Sequence, residues 1–89
     1  MLFDSNSALY EYLKRLGDRL RSSGEQSLAV LIEHAQAQAL STATEFLGES
    51  KIALLRIQAG STVLTVKERE ALSAAIAQLT SGTNRWPQR

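Results

Sequence analysis

KIALLRIQAGSTVLTV, residues 51–66, is the stretch whose reading decides the fold class. Its first part, KIALLRI (51–57), is apolar almost all round, and a run that short suits a buried helix or a buried strand equally well. Its last part, STVLTV (61–66), has the threonine and valine content of a strand. Two folds compete. In an α+β fold, 51–66 is a hairpin turning at Gly60. In an all-α fold, Ala and Leu carry 51–57 as helix. Thr65-Val-Lys-Glu68 then forms a capping box, in which Thr65 and Glu68 satisfy each other's free amides and open the last helix. The helical reading is preferred.

Moving back from this stretch, Gly48 follows the last apolar repeat of a long segment, where a helix is commonly stopped by a left-handed residue. Ser50 then stands where the next helix needs an N-cap. The same neighbourhood holds Glu45, Glu49, Ser50 and Lys51, the makings of an acid, a base and a nucleophile. No nucleophile elbow exists, because Ile52 occupies the second glycine position of Gly-x-Ser-x-Gly, and Ser-x-x-Lys occurs nowhere. The stretch reads as punctuation, and no catalytic residue is assigned.

Before Gly48, residues from about 26 to 47 read as one long central helix, extending roughly 33 Å. Leu28, Ile32, Ala35, Ala39, Ala43 and Phe46 centre its apolar face; Leu31 lies on one margin, and Ala29, Leu40 and Leu47 widen the other. An arc that broad needs several neighbouring helices or a second subunit. The first helix begins between Asp4 and Ser7, buries Leu9, Leu13, Leu16 and Leu20, and ends at SSG (22–24). Gly17 within it marks a close approach. Leu72, Ala75, Ile76 and Leu79 form the core stripe of the last helix, which stops before Gly82. The expected architecture is an all-α bundle of three or four helices around helix 26–47. Residues 1–80 form a single domain and 81–89 a flexible C-terminal tail.

Composition narrows the chemistry. With 89 residues, 44% of them hydrophobic and 21% charged, the chain has the make-up of one ordinary globular domain. It has no cysteine, so disulfides, thiolate metal sites and thiol nucleophiles are excluded. The single histidine, His34, adjoins Glu33, but successive helical residues point about 100° apart and do not share an ion. The five glycines are scattered singly and form no phosphate-binding loop. No cofactor, metal or small-molecule substrate is expected. The stretch MLFDSNSALYEYL (1–13) lacks a basic segment before its apolar residues, and no apolar run approaches membrane length, so no membrane association and a cytoplasmic location are expected.

AGSTVLTV (59–66) resembles the turn and recognition-helix start of helix-turn-helix DNA-binding proteins, which implies a DNA-binding regulator. The pattern departs at Arg56, where that motif buries a small residue, and at Arg69 and Glu70, where it has core aliphatics. Net charge is only +1, and basic residues of the first helix are interleaved with acids at helical spacing, Glu11 with Arg15 and Lys14 with Asp18. Nucleic acid is therefore the lesser expectation.

What remains is a non-catalytic protein–protein interaction module, with a homodimer built on the wide apolar arc as the first form. A bacterial immunity- or inhibitor-type protein is the alternative, since residues 25–49 hold Glu25, Glu33, Glu45 and Glu49 but no Lys or Arg. Candidate anchors are Tyr10 and Tyr12, which flank the first leucine stripe, and Arg85 and Trp86 in the tail.

Overall fold

A computed structural model of the chain describes residue 3 and residues 5–80; four α-helices and one 3₁₀ turn account for most of them. The helices are α1 (Asn6–Ser22), α2 (Gln26–Ala37), α3 (Ala43–Gly60) and α4 (Val66–Thr80). No strand occurs among the described residues, so the all-α reading holds and the hairpin in 51–66 does not form. Residues 51–60 complete α3, residues 61–65 are a loop, and Val66 opens α4.

Side-chain caps open α1, α3 and α4, whereas α2 follows Glu25 without one. The Ser5 hydroxyl accepts from the Ala8 amide at 3.1 Å and opens α1. At α4 the capping box closes in both directions. The Glu68 amide donates to Thr65 Oγ1 at 3.1 Å, and the Thr65 amide donates to Glu68 Oε1 at 2.8 Å. The end of α1 is equally explicit. The Gly24 amide donates to the Arg21 carbonyl (3.1 Å) and the Glu25 amide to the Leu20 carbonyl (2.9 Å), with Gly24 at φ +87°. That is the left-handed closure for which glycine is suited.

The long central helix of 26–47 is broken. α2 ends at Ala37, a single 3₁₀ turn (Gln38–Leu40) follows, and Ser41 leaves the helical conformation. Thr42, extended at φ −85° and ψ 157°, then caps α3 by accepting from the Glu45 amide at 3.1 Å. The reason is geometric. Gly48 has no positive φ and does not stop the helix, so an unbroken helix would run from 26 to 60 and measure about 52 Å. The folded molecule is only 38 Å in its longest dimension. Breaking at Ser41–Thr42 folds the apolar face of α3 back onto α2, and each covers what the other exposes.

Gly48 and Ser50 are consequently interior to α3, not its boundary. Ser50 is fully buried, and its hydroxyl donates to the Phe46 carbonyl one turn earlier at 2.6 Å. A nucleophilic role there has no access to solvent. A Cβ built on Gly17 would lie 3.2 Å from Ile32 Cγ2, so the expected close approach is of α1 backbone to an α2 side chain.

The core is built as the leucine stripe of α1 predicts: Leu9, Leu13, Leu16 and Leu20 are all buried, against Ala29, Ile32 and Ala35 of α2, Phe46, Leu54 and Ile57 of α3, and Leu72, Ala75 and Leu79 of α4. Removing each such leucine from water stabilises the fold by about 1.5–3 kcal/mol before entropy is counted. α3 packs between α2 and α4. α1 is tied to α4 by Arg19–Glu68, and by the Gln78 amide side chain, which pairs with both backbone groups of Phe3 at 2.8 and 3.0 Å.

Candidate interaction surface

The apolar arc expected to need several helices or a second subunit is covered within the chain at Ala29, Ile32, Ala35, Phe46 and Leu47, whereas Ala39 and Leu40 beside the break are exposed. The exposed large apolar side chains among the described residues are Tyr10, Val30, Leu40, Ile52, Leu55 and Val66, and α3 is the one helix that carries two of them. Its inward face carries Phe46, Leu47, Ser50, Ala53, Leu54 and Ile57. Projected at 100° per residue, Gly48, Ile52, Leu55 and Ala59 fall opposite that face, at spacings of four, three and four. Ile52 is 50% exposed and Leu55 41%. KIALLRI is apolar all round because one half of the helix fills the core and the other half forms a ridge in solvent.

Polar groups border the ridge on both sides. Toward α2, Glu49 Oε1 lies 3.8 Å from His34 Nε2, and Arg56 follows two turns along on the same side. Toward α4, the Gln58 side chain donates to Ser73 Oγ at 3.1 Å, with Lys51 two turns earlier. An apolar strip between polar margins has the anatomy of a small helix-docking face.

Tyr10 and Tyr12 do not share a surface. Tyr12 packs against Phe3, with ring centroids 5.4 Å apart and planes tilted by 55°. Burial, and secondarily the negative charge of Glu68, push its phenol pKa up to about 12. Tyr10 faces the other way and lines a shallow cleft with Glu33, Gln36, Ala37 and Leu40. Leu40 is 95% exposed there. Arg85 and Trp86 lie outside the described residues.

A second polar assembly holds the α3–α4 loop in place. Arg19 of α1 donates through Nε to Glu68 Oε2 (2.9 Å) and through its terminal nitrogens to Glu68 Oε1 (3.2 Å), to the Val63 carbonyl (2.9 Å) and to the Ser23 hydroxyl. From the α1–α2 corner, Glu25 accepts from the buried Ser61 hydroxyl at 2.6 Å and from the Thr62 amide at 3.1 Å. These bonds favour the ionised carboxyls. The Ser61 bond leads in lowering the Glu25 pKa, and the Arg19 bond in lowering that of Glu68. Arg69 donates to the Ser61 carbonyl. Within the segment resembling a helix-turn-helix turn, residues 61–65 are thus a loop clamped from two sides, with Ser61 and Leu64 buried.

The acids of 25–49 are mostly engaged within the fold. Glu25 holds the loop, Glu33 pairs with Arg21 of α1, and Glu49 lies beside His34; Glu45 stands exposed in the first turn of α3. Among the described residues no three His, Asp or Glu side chains gather into a metal-binding group, and no helix is long and apolar enough to cross a membrane. No family model matches the chain, and no curated protein or solved structure matches it.

Sequence reasoning found the α1 stripe and the capping box at Thr65–Glu68. It missed the α3 ridge. The signal was present in the near-continuous apolarity of KIALLRI, whose period of four, three and four extends outward to Gly48 and Ala59.

Proposed function

We propose that the protein is a non-catalytic module that works through protein contacts, and that the outer ridge of α3 is its contact surface. The observation that carries this reading is the exposure of Ile52 and Leu55 on the face of α3 opposite its core side chains. Those two residues lie outside the buried core cluster, and they sit in register as a stripe with polar margins. Catalysis finds no support in the same region, because its one serine is sealed in the core with its hydroxyl committed to Phe46.

The test is capture from native extract with the parent chain and with an Ile52→Glu, Leu55→Glu variant, each checked for helicity by circular dichroism. The parent is expected to retain a protein, either another copy of itself or a different chain, and the variant to lose it. Retention that is equal for the two proteins, or no retained protein at all with a folded parent, would reject the reading.

A further inference from the structure

We infer that the ridge of α3 pairs antiparallel with the same ridge on a second copy of the chain, around a two-fold axis between Ile52 and Leu55. This rests on the reading of α3 as the contact surface and names its occupant. The argument is charge complementarity along a stripe of fixed register. Gly48, Ile52, Leu55 and Ala59 repeat at the four-three-four spacing that lets two helices interlock. In an antiparallel pair centred on the stripe, Ile52 meets Leu55 of the second copy, and Gly48 meets Ala59. The small residues at both ends allow close approach of the two backbones.

The flanking charges then decide orientation. Glu49 and Arg56 lie on one margin of the stripe, seven residues apart. In the antiparallel register each Glu49 faces Arg56 of the other copy, so two opposite-charge pairs form by symmetry. A parallel pair would instead bring Lys51 of one copy against Arg56 of the other, twice, with like charges in contact. The other charged or titratable groups near Glu49 are Glu45, exposed one turn earlier on the same margin of α3 and beyond the span of the Glu49–Arg56 pairs, and His34, exposed on the α2 side. The stripe extends only about 16 Å along the helix, so the pair belongs to the weak, concentration-dependent class.

Sedimentation velocity over micromolar to sub-millimolar concentrations tests this. The parent mass is expected to rise from one chain toward two. Glu49→Arg and Arg56→Glu each turn two attractions into repulsions, and each is expected to weaken self-association by about tenfold. Mixing the two single variants in equal amounts restores it, because at both symmetry-related contacts an arginine of one chain then faces a glutamate of the other; the Glu49→Arg, Arg56→Glu double variant also pairs with itself. Circular dichroism of every variant should match the parent, since the substitutions lie on the surface. Single variants that associate as the parent does, or a mixture that stays monomeric, would overturn the inference. A parent that remains one chain at all concentrations overturns it too. If such a monomer still captures a different protein through Ile52 and Leu55, the contact-surface reading stands while its occupant is refuted.

Discussion

Gly48→Ala should make the protein more stable, and the sign of that change discriminates between a helix interior and a helix end. In the structure Gly48 lies inside α3 without a positive φ, and a Cβ built on it meets nothing within 4 Å. Alanine there adds no clash and removes the entropic cost of glycine, worth about 1 kcal/mol in a helix interior. At about 2.1 cal/mol/K per residue, unfolding this 89-residue chain carries an entropy of about 0.19 kcal/mol/K, so the melting temperature should rise by about 5 °C. Gly24→Ala is the matched control. Its Cβ would also meet nothing within 4 Å, but its φ of +87° costs an L-residue about 1–2 kcal/mol. The two substitutions differ in backbone conformation alone, and should move stability in opposite directions. The assay is thermal and urea unfolding followed by far-ultraviolet circular dichroism, at two protein concentrations tenfold apart so that any change in self-association is separated from the helix effect. A Gly48→Ala variant that melts below the parent would refute the continuous α3.

Three further outcomes follow from the same geometry. Thr42→Ala removes the cap on α3 and should cost about 1 kcal/mol in urea unfolding, with Thr42→Ser restoring most of it. Glu25 and Glu68 both have folded-state pKa values below the ordinary carboxylate value, so the stability they contribute is present above about pH 4.5 and is lost as pH falls through their lowered values; Glu25→Gln and Glu68→Gln should each flatten this acid limb of the melting curve. Tyr12, raised from 10 to about 12, favours the folded state fully below pH 10 and loses that contribution as pH climbs toward 12; ultraviolet titration of Tyr12→Phe and Tyr10→Phe variants should assign the late-titrating phenol to Tyr12, and a Tyr12 that ionises near 10 in the folded protein would contradict its packing against Phe3.

Local signals were legible where one residue pair or one stripe sufficed. The leucines of α1 repeat every three or four residues and need only a neighbour, and Thr65 with Glu68 closes its box within one turn. The break at Ser41–Thr42 was hidden because the apolar period runs through it: Ala39 and Ala43 continue the face, and alanine favours helix. Thr42-Ala-Thr-Glu45 does carry a capping-box pattern, and it marks the true start of α3. What selects the break is tertiary, the burial of α3 against α2, which no window of neighbouring residues contains. The same holds for the clamps on the loop. Arg19 and Glu68 are 49 positions apart, and Glu25 and Ser61 are 36, so nothing local announces either pair. On the candidate surface, the exposed half of α3 was concealed by the assumption that an all-round apolar run is buried on every side.

The corner at Leu40–Thr42 divides the chain into two helical hairpins joined by an exposed peptide segment. Severing the backbone there would leave every core contact, both loop clamps and the Phe3–Gln78 tie in place. The α1–α2 and α3–α4 fragments, made separately, should therefore reconstitute one folded particle on mixing, which makes this corner the natural seam for splitting the protein into a pair of complementing halves.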